Sequence, residues 1–120
     1  MKILIVDDSK HFVKALRFML EENFSDKIEE ILEASNGQEA IDFVSNYAID
    51  TIFMDLEMPV MDGVKATKYI VDRYRNIQII AVSFHSEFHD IQRMIEAGAR
   101  NYLIKEEVNI ESLERCLSNQ

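Results

Sequence analysis

Five polar residues stand directly behind apolar runs in this chain. ILIV (3–6) is followed by Asp7 and Asp8, TIFM (51–54) by Asp55, IIAV (79–82) by Ser83 and NYLI (101–104) by Lys105. If the runs are parallel strands of one open sheet, these residues share its carboxyl edge, where ligands bind at the point at which strand order reverses. Three carboxylates, a hydroxyl and an ammonium then converge on one cleft. Carboxylates so close repel unless a cation sits among them, and hard oxygen ligands with room for water suit Mg²⁺. A lysine and a hydroxyl opposite can bind the oxygens of a phosphoryl group, and one carboxylate can act as nucleophile through an aspartyl phosphate. Phosphoryl transfer depends mainly on positioning and charge neutralisation, and this set supplies both. A single Asp or Lys at a strand end is usually a solvated boundary residue. Five of them behind four separate runs are not accounted for in that way.

The elements that must position these residues can be read from the apolar periodicity. The runs are short and rich in Ile, Val, Phe or Tyr, as expected of strands buried on both faces of a parallel sheet. A more polar run, IEEILEA (28–34), predicts an edge strand. Helical stripes lie between the runs. The first is Phe12, Val13, Leu16, Met19 and Leu20, with Ser9 as N-cap. The second is Ala40, Ile41, Val44 and Tyr47, opened by the turn pair Asn36-Gly37. The third is Val64, Thr67, Ile70 and Tyr74, after Gly63. The fourth is Phe88, Ile91 and Ile95, ended by Gly98. The fifth is Ile110, Leu113 and Leu117, capped by Asn109. The βα alternation predicts one α/β domain with a central parallel sheet. Cys116 lies beside the last stripe and reads as a packing residue.

Composition narrows the function classes. A chain of 120 residues supports one core, and 48% hydrophobic with 29% charged residues is ordinary for a globular domain. Acidic residues outnumber basic ones 22 to 13, for a net charge of −9. Nucleic-acid affinity rests on neutralising phosphates with Lys and Arg, so no nucleic-acid binding is expected of this chain alone. One cysteine allows no internal disulfide, and no segment reads as a signal peptide or membrane span, so the expected location is cytoplasmic.

The ordered set "VDDS" (6–9), "MDLEMPVMDG" (54–63), "AVS" (81–83), "AGA" (97–99) and "YLIK" (102–105) resembles the receiver domain of two-component response regulators. The resemblance covers nearly the whole chain, so residues 1–120 are expected to form one receiver domain. It implies a flavodoxin-like (βα)5 three-layer sandwich with sheet order 2-1-3-4-5. It further implies that Asp55 is the phosphoacceptor and that Asp7, Asp8, Asp55 and the backbone carbonyl of Glu57 hold Mg²⁺. By the same resemblance, Lys105 pairs with Asp55 and then with the phosphate, Ser83 bonds the phosphoryl oxygen, and Tyr102 is the aromatic switch. Glu57 and His85 occupy positions that tune phosphate lifetime. The implied partners are a sensor histidine kinase or histidine phosphotransfer protein, a downstream effector and, for some members, a second copy of the chain. The catalysis implied is confined to the chain's own phosphorylation and dephosphorylation, without turnover of other substrates.

Two residues depart from the family pattern. Glu106 follows Lys105 where a proline is common, as in some DNA-binding regulators. The chain is therefore read either as a single-domain switch or as the receiver part of such a regulator. Phe84 stands where a small residue is usual, and its ring either narrows access to the site or points outward. His85 and His89 in "HSEFH" lack a third metal ligand nearby. A Mg²⁺-dependent aspartyl phosphatase of the haloacid-dehalogenase type is the alternative reading. Against it, Asp55-Leu56-Glu57 lacks the second aspartate of that family's Asp-x-Asp motif.

Overall fold

The computed structural model describes residues 1–84 and 88–118. Its elements run β1 (Lys2–Val6), α1 (Lys10–Asn23), β2 (Glu30–Ala34), α2 (Gly37–Asn46), β3 (Thr51–Asp55), α3 (Gly63–Arg73), β4 (Gln78–Ser83), α4 (Phe88–Ala97), β5 (Asn101–Ile104) and α5 (Ile110–Leu117). The strands form a single parallel sheet of order β2-β1-β3-β4-β5, so the order reverses between β1 and β3. The register aligns the strand ends: Val6 pairs with Met54, Asp55 with Val82 and Ser83 with Ile104. The residues behind β1 and β5 therefore emerge level with the ends of β3 and β4.

Side chains alternate across the sheet with a period of two, so β1 to β4 each feed two cores, while the edge strand β5 gives Leu103 to one. Leu4, Val6, Ile52, Met54, Ile79 and Ala81 pack with α2, α3 and α4. Ile3, Ile5, Phe53, Ile80, Val82 and Leu103 pack with α1 and α5. The three-layer arrangement follows, because a sheet apolar on both faces must be covered on both.

Local chemistry sets the helix starts. Ser9, Asn36, Asp62 and Asn109 each accept a backbone N–H of the first turn, and Asn109 with Ser112 completes a reciprocal capping box. Gly98 ends α4 at φ 121°, which an L side chain rarely adopts.

Three stripe positions differ from the sequence expectation. Tyr47 caps the end of α2 and is 48% exposed, because the helix stops one residue earlier. On α4, Met94 is buried where Ile95 was expected; Ile95 is 44% exposed. On α5, Ile110 is exposed at the first turn, while Cys116 is fully buried beside Leu113 and Leu117. On α4 the buried position moves by one residue, about 100° around the helix, to the neighbour that faces the sheet. The side chain of Phe88 lies outside the described residues.

Candidate functional site

The carboxyl edge of the sheet gathers the acidic residues into one cluster. Asp7, Asp8 and Asp55 each offer a carboxylate oxygen within 4.8 Å of the others. Asp7 and Asp55 are buried and Asp8 is exposed, so the cluster has two fixed walls and one side open to water. Three hard oxygen donors with an open side fit a small divalent cation that keeps part of its hydration shell.

Asp7 is held by the backbone: its Oδ1 accepts the Ser9 N–H at 2.8 Å. Asp55 Oδ1 accepts the Leu56 N–H at 3.0 Å. The Asp55 backbone is in turn pressed against the start of α3. A Cβ at position 63 would collide with the Asp55 carbonyl oxygen, and the Gly63 N–H donates to the Leu56 carbonyl at 2.7 Å. Glycine at position 63 is therefore a packing requirement of the loop that presents Asp55. The same loop contains Val60 at φ 68°, closed by a bond of 2.7 Å from the Met61 N–H to the Pro59 carbonyl. That is a γ-turn, strained for a β-branched residue.

Lys105 opens a single 3₁₀ turn, Lys105–Glu107, in the stretch where the family commonly has proline. Its ammonium lies 2.8 Å from Asp7 Oδ2 and 3.5 Å from Asp55 Oδ1, with the lysine side chain only 7% exposed. The resemblance implied a pairing with Asp55, but in this structure the closer partner is Asp7. The contact is an ion pair without hydrogen-bond alignment, since Asp7 Oδ2 has no hydrogen-bond partner among the described residues. One ammonium between two carboxylates leaves net negative charge. Burial, and after it the neighbouring Asp7 charge, push the Asp55 carboxyl up to about 7 from 3.8, while Lys105 and the Leu56 N–H pull it down.

Ser83 is buried at the end of β4, and its hydroxyl donates to the Phe84 carbonyl at 3.1 Å. Glu57 is exposed and lines a cleft of about 200 Å³ together with Asp8, Asp55, Ser83 and Lys105. Tyr102 is 40% exposed on β5, away from this cleft; the Arg115 guanidinium lies 5.2 Å from its ring and donates to its carbonyl at 2.6 Å. His85 lies outside the described residues.

Three residues at or near the cleft have site contacts that the sequence reading did not assign or left open. The Phe84 ring lies 5.0 Å from Lys105 Nζ and the Phe12 ring 4.9 Å, on aromatic faces that attract a cation. Phe84 thus lines the cleft beside Lys105 and does not point away from it. Asp90, in the first turn of α4, lines the same cleft and pairs with Arg93 at 3.5 Å. Its sequence signal, an acid near a helix start, also describes an ordinary dipole-stabilising residue.

Comparison with known proteins agrees with this geometry. Residues 3–117 match the family described as the response regulator receiver domain. The transcriptional regulatory protein DegU of Brevibacillus brevis is 30% identical over 88% of this chain and 44% of its own length. The chemotaxis protein CheY of Halobacterium salinarum is 35% identical over 87% of this chain and 83% of its own. The receiver domain of sensor histidine kinase PA1611 from Pseudomonas aeruginosa PAO1 superposes with a TM-score of 0.84 at 26% identity, over 98% of this chain and 94% of that one. Its structure has a magnesium ion coordinated in the active site cleft. The chain spans about half the length of the first curated relatives it matches. The haloacid-dehalogenase alternative is not favoured by any of these likenesses. With its sheet order, its acidic cluster and its match over residues 3–117, the chain belongs to the response regulator receiver domain family, whose members are phosphorylation-dependent signalling switches.

Proposed function

We propose that Asp55 is the phosphoacceptor of this receiver, with a phosphohistidine on a sensor kinase or phosphotransfer protein as donor. The observation that carries this reading is the convergence of three carboxylates within 4.8 Å beside the buried Lys105 ammonium. Asp7, Asp8 and Asp55, with the Glu57 carbonyl, would hold Mg²⁺, which supplies charge neutralisation for the phosphoryl oxygens. The Asp55 oxygen forms a bond to phosphorus as the histidine nitrogen–phosphorus bond breaks, and the imidazole keeps the released electron pair. Asp55 gives up the proton that burial favours before it can attack. Lys105 then exchanges its Asp7 contact for the new phosphoryl oxygens, which carry more charge. The Ser83 hydroxyl turns from the Phe84 carbonyl to donate to one of those oxygens. Tyr102 follows inward into the space Ser83 vacates, which alters the surface of α4, β5 and α5 for an effector or a second copy of the chain. Water later cleaves the aspartyl–phosphorus bond, with Glu57 and His85 setting the rate.

On this reading residues 1–120 form one receiver domain that catalyses only its own phosphorylation and dephosphorylation on Asp55. It acts as a single-domain switch or as part of a longer regulator. A cytoplasmic location is proposed; among the described residues no helix is long and apolar enough to cross a membrane. Incubation with phosphoramidate and Mg²⁺ followed by peptide mass mapping tests the central proposal. One adduct is expected at Asp55, dependent on Mg²⁺ and lost in Asp55→Asn. An adduct elsewhere, or none with either phosphoramidate or a phosphohistidine protein, refutes it.

A further inference from the structure

Three exposed arginines stand at the amino edge of the sheet, the end opposite the acidic cluster. Arg73 closes α3, Arg75 follows in the connection to β4, and Arg100 immediately precedes β5. Arg75 and Arg100 line a cleft of about 360 Å³, and Arg73 and Arg75 line a second of about 380 Å³. The clefts share Tyr74, Arg75 and Ile77, so they adjoin along one face. Elsewhere the arginines of this acidic chain meet carboxylates: Arg17 pairs with Glu21 and Glu33, and Arg93 with Asp90. Among the described residues, none of these three does. Arg73 instead stacks 3.6 Å from the Tyr69 ring and donates to the Tyr69 carbonyl at 3.2 Å. Arg100 donates to the Arg75 carbonyl at 3.3 Å. A guanidinium carries five N–H donors, so these contacts fix its orientation and leave donors for a further acceptor. Asp72 is the sole acidic residue lining the two clefts, and the local charge is positive in a chain of net charge −9.

We propose that this face binds an extended, acidic segment of a partner protein, one that also carries aromatic side chains. Charge complementarity selects the occupant, because oriented guanidiniums without carboxylate partners take carboxylates by paired, charge-assisted N–H bonds. Tyr47, 48% exposed, and the half-buried Tyr74 wall the second cleft beside Arg73 and Arg75. Tyrosine and arginine are enriched among the residues that carry the energy of protein interfaces. Two adjoining clefts suit a chain laid across them better than one compact ligand. The molecule measures 34 × 31 × 26 Å, so about eight extended residues at ~3.3 Å each cross one face. A nucleic acid suits the face poorly, since its phosphates run on past the arginines into the field of a chain carrying 22 acidic residues. A short acidic segment confines its charge to the patch. Because the patch and Asp55 lie at opposite ends of the strands, both can be engaged at once.

The probe is a fluorescein-labelled peptide of about eight residues, mostly glutamate with a phenylalanine near each end. Its binding to the whole chain is followed by fluorescence anisotropy at low salt and mapped by amide shifts in NMR. Saturable binding is expected at roughly 10–100 μM, as for a small transient interface, with shifts concentrated in 71–77 and 97–100. Combining Arg75→Gln with Arg100→Gln should weaken it at least about ten-fold, the scale of two lost charge-assisted contacts. Combining Lys27→Gln with Lys68→Gln removes equal charge from exposed positions outside both clefts, and should change affinity less than about two-fold. All five side chains substituted or retained as controls are on the surface, and unchanged thermal unfolding of both variants shows that folding is not what the anisotropy reads. A peptide with glutamine in place of glutamate should bind as weakly as the arginine variant binds the parent peptide. No binding at millimolar peptide, equal losses in the arginine and lysine variants, or shifts centred elsewhere overturns the proposal. Tighter, arginine-dependent binding of an oligothymidylate assigns the face to nucleic acid instead. Self-association of the parent that the arginine variant abolishes assigns it to the acidic surface of a second copy; either result overturns the acidic segment as occupant.

Discussion

Replacing Asp55 with asparagine should stabilise the metal-free protein above neutral pH and do little in mild acid. The folded state raises this carboxyl from 3.8 to about 7, chiefly by burial and then by the charge of Asp7. A raised carboxyl means that the native state binds more protons than the unfolded chain between those two values. Stability therefore falls as pH rises through that window, and the loss is complete just above the folded value. At ~1.4 kcal/mol per unit, about three units set an upper bound of roughly 4 kcal/mol. The cleft is open to water, and screening reduces the expected cost to about 1–2 kcal/mol. Urea unfolding of the parent and Asp55→Asn in a chelator, at about pH 5 and about pH 8, measures the effect. The variant should gain about 1–2 kcal/mol at the higher pH and much less at the lower. Millimolar Mg²⁺ at the higher pH should close the gap by stabilising the parent, because the cation replaces the proton as counter-charge. A stability difference that does not change with pH, or a variant less stable at about pH 8, would refute the electrostatic reasoning.

Two further perturbations follow from the same geometry. Lys105→Met removes the cation 2.8 Å from Asp7 Oδ2 and leaves a buried carboxylate without its ion pair. It should cost about 3 kcal/mol in chelator, a loss that Mg²⁺ largely restores in denaturant titration. Gly63→Ala places a Cβ against the Asp55 carbonyl oxygen, so α3 or the strand end must shift. The expected destabilisation is about 2–3 kcal/mol, with Mg²⁺ affinity by calorimetry weakened in parallel because the Asp55 backbone is displaced.

Much of the architecture was legible in one dimension because its determinants are local. Each apolar run followed by a polar residue marks a strand and its carboxyl end, and Ser9 and Asn109 announce their helices through bonds spanning three residues. Short-range periodicity located the helices but not always the buried stripe. Met94 rather than Ile95, and Cys116 with Leu113 and Leu117 rather than Ile110, face the sheet. Both candidates in each pair are apolar or nearly so, and only the docking angle of the helix chooses between them.

The candidate site divides along the same line. Sequence alone determined which residues reach the carboxyl edge, because a strand's end and the polar residue behind it are covalently tied. Only the tertiary structure decided how they meet. Whether Lys105 favours Asp7 or Asp55 depends on a difference between 2.8 and 3.5 Å, set by the placement of β1, β3 and β5. The raised Asp55 carboxyl reflects burial by residues distant in the chain. Phe12 and Phe84, 72 positions apart, meet at the lysine because α1 and the end of β4 flank the same cleft. Electrostatic and aromatic contacts weaken over a few ångströms, and distances of that size belong to the packed molecule.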